Sequence, residues 1–475
     1  MRILLTGATG YIGKRLLPVL LADGHTVVCC VRDQSRFDPS RYHSGEIEVV
    51  EVNFLDKGSL DRIPEDIDAA YYLIHSMSTS IGDFETLEKE AAENFRERIQ
   101  ETNADQVIYL SGIINEEKLS KHLSSRKAVE DILSGGSFHL TTLRAGIIVG
   151  SGSASFEIIR DLVEKLPVMI APRWLNTRSH PIAIRNVIQF LKGVLLNEQT
   201  YGRSFDIGGP EILTYKQMLL RFARIRDLRR KIFVVPVMTP KLSSYWLYFI
   251  TSTSYKLAVN LVDSMKIEII GSENNLDHLL NIQLISYEDA VALAFDRIEQ
   301  QEVISSWTDA LSSHTLETGI ARLIEVPSFG CYKDKREVPD VDEEKVLDRI
   351  WSIGGDRGWY YGNWLWVFRG FLDKLVGGVG LRRGRKSLTW ISAGDSLDFW
   401  RVIHASREEK RLLLYAEMKL PGEAWLEFAI KDQVLHQIAT FRPRGLWGRL
   451  YWFIMLPFHA FIFRGMARNI ASQKT

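Results

Sequence analysis

The chain has 475 residues, enough for two or three domains at about 150 residues each and for a large buried core. Its 59 basic and 59 acidic residues cancel, so no global field draws it to nucleic acid or to an anionic surface, and binding must come from local sites. Three cysteines, Cys29, Cys30 and Cys331, are too few and too badly placed for a disulfide framework or a metal site, which fits a reducing cytoplasm.

The first thirteen residues read MRILLTGATGYIG, an apolar run from Ile3 to Leu5 cut by Thr6-Gly7 and followed by Gly10 and Gly13. This is the pattern of a buried strand that delivers a tight turn into a helix. The glycines stand where the backbone must bend, approach a pyrophosphate and let helix pack on strand. Thr6, Gly7, Thr9, Gly10, Tyr11, Ile12 and Gly13 are therefore the candidate cofactor-binding turn, and the helix behind them offers phosphates unpaired N–H groups and the positive end of a dipole. Ile12, Leu16, Val19 and Leu20 share one face of that helix, Asp23-Gly24 ends it, and Thr26 to Val31 reads as the next strand. Arg2 leads straight into the turn, where a secretory leader would place an apolar run and a small-residue cleavage site, so no signal peptide is expected.

From Met1 to about Ile148 strand and helix patterns alternate, with strands expected at Ile3–Thr6, Thr26–Val31, Glu48–Val52, Ala70–Ile74, Gln106–Leu110 and Leu140–Ile148. That alternation predicts an α/β Rossmann fold, a doubly wound parallel sheet. Val31-Arg32-Asp33 falls where the adenosine ribose would lie. An acid there selects NAD and an arginine accommodates a 2′-phosphate; Arg32 comes first, which inclines the reading to NADP. Asn53 and Phe54 either frame the adenine or make an ordinary turn. His75 follows the fourth strand on the ligand edge of the sheet, as a cofactor contact or as a packing residue. Glu85 to Gln100 is a charged helix with a solvated face. Ser111-Gly112 and the helix Ser120 to Leu133, SKHLSSRKAVEDIL, are the segment where chemistry is expected.

From Pro167 to about Gln300 the pattern is less regular, and about 151–300 is read as a substrate and lid region within a Rossmann domain of residues 1–330. Pro172-Arg173-Trp174 and Thr177 to Pro181 suggest an ordered loop opposite the cofactor, and Trp246, Tyr248 and Phe249 either form an apolar lid or pack inside. Pro327, Gly330, the charged run Lys333 to Glu337 and Pro339 interrupt the periodicity, so 331–340 reads as a linker. Beyond it Asp342 can cap a helix carrying Val346, Leu347, Ile350 and Trp351. Closely spaced strands follow at Ser387–Ser392, Leu397–Ala405, Arg411–Met418, Ala424–Ile430 and Val434–Phe441, and a long apolar helix from Trp447 to Ile470 closes the chain. Strands first and one helix packed on them make 341–475 an α+β domain.

Two apolar stretches bear on membranes. Tyr245 to Val262 is broken by Thr251 to Ser254 and Lys256, and Leu450 to Phe463 is about fourteen residues with Pro457 and His459 inside, where spanning takes about twenty. Neither is expected to cross a bilayer, though either can lie on one. Trp447, Tyr451, Trp452 and Phe453 would then sit at the interface and Arg444, Arg449 and Arg464 near headgroups. The same residues also fit a core helix ending in a basic turn.

The T-G-x-x-G-x-x-G run from Thr6 to Gly13 and the strand order around it resemble the short-chain dehydrogenase/reductase superfamily. The likeness covers about the first 300 residues and points to the extended, atypical branch that includes NmrA-like proteins and the quinone-linked accessory subunit of respiratory complex I. HLSSR at His122, LRAGIIVGSGSASFEIIR at Leu143, LPVMIAPRW at Leu166 and HPIAI at His180 look like a bacterial group of NAD(P)-binding proteins with a C-terminal domain of unknown function. Asp342 to Ser472 looks like that domain and is similar to the helix-grip fold of hydrophobic-ligand binders of the START and polyketide-cyclase type.

The resemblance implies an NAD(P)(H)-binding protein, and it also exposes a departure. Active members carry a Tyr-x-x-x-Lys pair, with tyrosine the proton donor and lysine the residue that lowers its pKa and holds the nicotinamide ribose. Here His122 stands for the tyrosine and Arg126 for the lysine, and Ser111, in the place of the catalytic serine, is followed by Gly112. A histidine can act as general acid near neutral pH, and a spacing of four puts His122 and Arg126 on one helical face. Arg126 cannot give up a proton, so it would orient a ribose. Two functions follow. One is an oxidoreductase for a small apolar carbonyl, quinone or enone, its C-terminal domain holding the substrate in a cavity lined by Trp359, Trp364, Trp400 and Phe428. The other is a non-catalytic dinucleotide sensor or assembly factor, with His122 only shaping the pocket. The protein is expected in the cytoplasm or peripherally at a membrane.

Overall fold

The structure, a computed structural model, describes residues 1–34, 37, 39, 42, 46–74, 84–114, 121–235, 265–299, 326, 330–376, 378, 380 and 391–472. The described residues divide into two compact units, the first holding those up to Glu299 and the second those from Val326 onward.

The first unit opens with β1 (Arg2–Leu5), α1 (Gly13–Ala22), β2 (Thr26–Val31), β3 (Glu46–Glu51), α2 (Lys57–Leu60) and β4 (Ala69–Tyr72). It continues through α3 (Phe84–Ile99), β5 (Gln106–Gly112), α4 (Lys121–Ser134), β6 (His139–Ala145), β7 (Ile148–Val149) and α5 (Ala154–Lys165). Then come β8 (Val168–Pro172), β9 (Arg178–Ser179), β10 (Ile182–Ala183), α6 (Ile184–Gly193), β11 (Arg203–Ile207), β12 (Leu213–Thr214), α7 (Tyr215–Ile225) and β13 (Lys231–Val235). The short α8 (Leu276–Leu279) and α9 (Tyr287–Glu299) complete it.

Seven parallel strands form one sheet in the order β11-β6-β5-β4-β1-β2-β3. The central strands β1, β2 and β4 are largely apolar and buried because both faces of the sheet are covered. Ile3, Leu5, Val27 and Cys29 pack with Leu16 and Leu20 of α1 and Leu191 of α6, while Leu4, Val28 and Cys30 pack with Phe95 of α3 and Leu133 of α4. Successive residues thus face opposite ways. Cys29 and Cys30 fall on different faces as small core residues, and burial pushes the Cys29 thiol up to about 12.

The stretch expected as one strand, Leu140–Ile148, is two: β6 stops at Ala145, and β7 pairs instead with β10. Gly146 marks the break, since a Cβ there would lie 1.8 Å from the His180 carbonyl oxygen. Beyond it lies a separate core built on α5, α7 and α9, where Phe156, Phe222 and Phe295 meet at 5.3–5.6 Å between ring centroids. Trp246, Tyr248 and Phe249 lie outside the described residues.

The second unit comprises β14 (Tyr332–Val338), α10 (Glu343–Ile350), α11 (Asn363–Leu375), β15 (Ser396–Leu397), β16 (Trp400–Ser406), β17 (Arg411–Ala416), β18 (Gly422–Lys431), β19 (Val434–Pro443) and α12 (Gly445–Ala471). Six antiparallel strands make one sheet in the order β14-β19-β18-β17-β16-β15. Asp342 caps α10 by accepting from the Lys345 N–H (3.3 Å).

Residues 331–340, expected as linker, hold edge strand β14, paired with β19 from Tyr332↔Phe441 to Val338↔Leu435. Its charges alternate: Lys333 and Lys335 point out and Asp334 points in. The expected strand Leu397–Ala405 is a tight hairpin, β15 and β16, because Asp398 takes a positive φ of 53° while its carboxylate accepts from Trp359 Nε1 (2.6 Å). The expected strand Ser387–Ser392 lies mostly outside the described residues.

Trp359, Trp400 and Phe428 do not line a shared cavity with Trp364. The first three are packed into the interior with Trp366 and Phe399, and Trp364 is 69 % exposed on the outside. Arg401 is wholly buried in this core, gripping Glu417 with Nη2 (2.8 and 2.9 Å) and Nε (2.9 Å) and donating to the Gly394 carbonyl with Nη1 (2.8 Å). Helix α12, expected over Trp447 to Ile470, runs 27 residues with Pro457 inside it and is long and apolar enough to cross a membrane by length and composition alone.

Candidate functional site

The turn between β1 and α1 lies at the carboxyl edge of the sheet, where the chain winds outward through β2 and β3 on one side and returns as β4 on the other; such switch points are where open α/β sheets take ligands. Thr6 is fully buried and stitches the turn to β4, its Oγ1 donating to the Tyr71 carbonyl (3.0 Å) and accepting from the Leu73 N–H (3.0 Å). Gly7 follows at φ 67°, and a Cβ on it would lie 2.7 Å from the Leu73 carbonyl oxygen. The Gly10 N–H closes the turn onto the Gly7 carbonyl at 2.8 Å. Gly13 fits beneath it, where a Cβ would come within 2.2 Å of the same oxygen and 2.9 Å of Ala8 Cα.

Ile12, at the cap of α1, offers no side-chain hydrogen bond, and the helix has no acidic residue in its first turn. The first N–H groups of a helix have no acceptor within it, so this end suits an anion. A dinucleotide pyrophosphate held here would lie against the backbone of Gly7, Thr9, Gly10, Tyr11, Ile12 and Gly13.

The turn is backed from behind by a loop to which sequence reasoning gave no role. Arg15 lies over the Tyr11 ring at 4.1 Å, donates to the Tyr11 carbonyl (3.2 Å) and reaches the Ser151 carbonyl (2.7 Å). Ser153 in that loop accepts from the Phe156 N–H (3.2 Å) at the start of α5 and donates to the Ile148 carbonyl (2.9 Å). Burial pushes the Tyr11 phenol up to about 12, against the pull of Arg15, so it stays protonated at physiological pH.

Arg32 is exposed immediately after β2, with Asp33 half-buried beside it. Asn53 Oδ1 accepts from the Leu55 N–H (3.2 Å), and Phe54 is buried against Phe95 (5.8 Å between centroids) while its carbonyl accepts from Asn94 (2.8 Å). The Asn53 contact is that of a turn and the Phe54 ring belongs to the core. His75 lies outside the described residues. His122 lies in the first turn of α4, and its side chain is likewise outside them.

Ser111 and Arg126 are brought together at the carboxyl end of β5. Arg126 Nη1 donates to the Leu110 carbonyl (2.7 Å), one residue from Ser111, and the Tyr109 hydroxyl donates to the Arg126 carbonyl (3.3 Å). Arg126 thereby fastens α4 to β5, a task the spacing rule did not reveal. Two buried polar atoms here, Ser111 Oγ and Arg126 Nε, have no hydrogen-bond partner among the described residues. His180 is fully engaged: Nε2 donates to the Gly209 carbonyl (2.7 Å), which leaves Nδ1 to accept from the Gly271 N–H (3.4 Å).

Residues 7–153 match a family model described as NAD(P)H-binding. The first unit carries an NAD(P)H-binding Rossmann domain. Residues 331–466 match a family described as a protein of unknown function, DUF2867, and this DUF2867 domain is the six-stranded sheet with its helices.

Among solved structures, the NAD(P)H-binding domain is similar to a nucleoside-diphosphate-sugar epimerase from Staphylococcus aureus, at 14% identity and a TM-score of 0.50 over 61% of this chain and 99% of that one. It is also similar to an epimerase from Methanothermobacter thermautotrophicus, at 13% identity and a TM-score of 0.50 over 64% of this chain and 94% of that one. A third is the Bordetella bronchiseptica enzyme WbmG in complex with NAD and UDP, at 12% identity and a TM-score of 0.50 over 65% of this chain and 97% of that one. At these identities the likeness shows the fold. Comparison with curated proteins gives no match.

Proposed function

We propose that the protein is an NADP-preferring oxidoreductase of the atypical short-chain dehydrogenase/reductase kind, cytoplasmic, acting on a small apolar carbonyl, quinone or enone. The observation that supports it is the wound turn from Gly7 to Gly13, too tight for any Cβ at its two ends and opening onto an uncapped helix. In this reading the turn holds the pyrophosphate, Arg32 takes a 2′-phosphate, and Ser111 and Arg126 border the nicotinamide end. The dinucleotide, when bound, supplies or accepts the hydride. His122 is proposed to give a proton to the substrate oxygen, since an imidazole exchanges protons near neutral pH. Arg126 keeps its charge throughout and acts by position. We read the second unit's six antiparallel strands and long closing helix as helix-grip-like, but its interior is filled by Trp359, Trp400 and Phe428, and we assign it no internal ligand.

A second reading, a dinucleotide-binding sensor without turnover, is favoured by one observation: Arg126, which stands for the family's lysine, is already tied to the Leu110 carbonyl. One assay separates the two. Purified protein with NADPH is followed at the nicotinamide absorbance band against a panel of carbonyls, quinones and enones. The oxidoreductase consumes NADPH with at least one class and loses that rate in His122→Ala; tight NADPH binding with no turnover across the panel rejects it in favour of the sensor.

A further inference from the structure

Two helices of the second unit are inside out. On α11, Trp364, Val367, Phe368, Phe371 and Leu375 recur at steps of three and four, and every one is exposed, Phe368 and Phe371 by 54 %. The helix's one carboxylate, Asp373, is turned inward and fully buried, where it accepts from the backbone N–H groups of Gly380 (2.9 Å) and Lys419 (2.7 Å).

Helix α12 repeats the inversion. Trp447, Leu450, Phe453, Ile454 and Phe461 run along its outer side, Trp447 77 % and Phe453 60 % exposed. Its inner side is held by Trp452, stacked on Tyr332 (5.4 Å) and Phe441 (5.8 Å), and by Phe463 against Trp366 (6.3 Å). The two faces meet where Tyr361, just before α11, packs on Phe461 at 5.2 Å. Lone exposed apolar side chains are ordinary on a protein surface, but contiguous rows of this extent mark an interaction surface.

The charges say what kind. From Arg444 to Ser472 the sequence contains no aspartate or glutamate, and its charged residues, Arg444, Arg449, Arg464 and Arg468, are all exposed. On α11 the remaining charges are Arg369 and Lys374. Apart from the buried Asp373, the charges that these two helices carry are therefore of one sign. A second copy of the chain would bring these arginines against themselves across a self-complementary interface, which is unfavourable. An anionic lipid surface matches both the rings and these charges, since an interfacial helix sinks its apolar side by about 5–10 Å and leaves its cations among the headgroups.

We propose that α11 and α12 form a docking face for an anionic lipid bilayer. The second unit lies on the membrane with the exposed rings at the acyl boundary and the arginines at the phosphates. Helix α12 does not cross, because its inner side belongs to the sheet. This stands independently of the redox reading.

The test is flotation of the full chain with vesicles of phosphatidylcholine alone and of phosphatidylcholine with phosphatidylglycerol, at low and high salt. Binding is expected to be stronger to the anionic vesicles by about tenfold or more and to weaken as salt is raised. The Phe368→Glu, Phe453→Glu double variant should float no more than a soluble control while keeping wild-type NADPH affinity and circular dichroism. Three results overturn the proposal: no flotation with either vesicle, flotation that the double variant retains, or a lipid-free dimer that the double variant dissolves. Resistance to alkaline extraction from membranes would also overturn it, by showing a spanning helix.

Discussion

The Gly13 contact gives the sharpest test of the cradle. In Gly13→Ala the new methyl would stand 2.2 Å from the Gly7 carbonyl oxygen and 2.9 Å from Ala8 Cα, both backbone atoms, so relief requires the turn itself to move. Forcing a methylene into so tight a place costs about 1–3 kcal/mol. Alanine recovers at most about 1 kcal/mol of helix propensity over glycine, and little of that in the first helical position. If the turn opens to relieve the overlap, the strain reappears as lost affinity, and at about 1.4 kcal/mol per tenfold the NADPH dissociation constant should rise about 5- to 150-fold. Fluorescence titration with NADPH measures this, and thermal unfolding with and without saturating cofactor separates affinity from stability. Gly24→Ala is the control: its φ is positive, 79°, and nothing lies within 4 Å of its Cβ position, so it should cost stability through the backbone and leave affinity alone. Gly13→Ala with wild-type affinity and wild-type melting would refute the reasoning.

Three further outcomes follow from charge. Arg32→Ala should weaken NADPH by about 10- to 100-fold, the range of a hydrogen bond to a charged group, and leave NADH nearly unchanged; equal effects on both would show that Arg32 does not read the 2′-phosphate. Glu417→Gln removes the counter-charge of a fully buried Arg401 and should destabilise the second unit by about 3–5 kcal/mol in denaturant unfolding, a prediction that a loss under about 1 kcal/mol would contradict. Burial lowers His459, packed between Trp452 and Phe463 and facing Asp334 and Arg369, to about 4. Above about pH 6.5 the ring is neutral folded or unfolded and adds no slope. Between there and about pH 4 only the unfolded chain takes the proton, so stability falls as pH falls, by about 3 kcal/mol in all. His459→Gln should flatten that limb of the stability profile, and an unchanged profile would remove His459 as its source.

The Rossmann sheet could be read from the chain because its determinants are local. Glycines at 7, 10 and 13 and apolar runs such as Val27 to Val31 dictate a turn and two-sided burial whatever surrounds them. What escaped was set by partners distant in sequence. The run Lys333 to Val338 looks like a charged linker until β19 lies beside it, when its alternation becomes that of an edge strand. Asp398 breaks an apparent strand only because Trp359, 39 residues earlier, holds its carboxylate. Spacing put His122 and Arg126 on one helical face but could not show that the Leu110 carbonyl engages Arg126. The outward rings of α11 were the least legible: a stripe at steps of three and four announces an apolar face, and nothing in the period says whether the protein's own core covers it.

Among the described residues the sheet of the second unit ends at two edges, β14 and β15, and both are poorly suited to recruit another strand. On one side β14 carries Lys333, Lys335 and Glu337 outward; on the other β15 is two residues long. Unpaired backbone at a sheet edge is the usual seed of fibrous growth, and charge or brevity blunts it. A molecule that leaves rows of phenylalanine and tryptophan bare has made its contact hazard a matter of side chains alone, so any aggregate forced at high concentration should disperse in detergent and not mature into ordered fibrils.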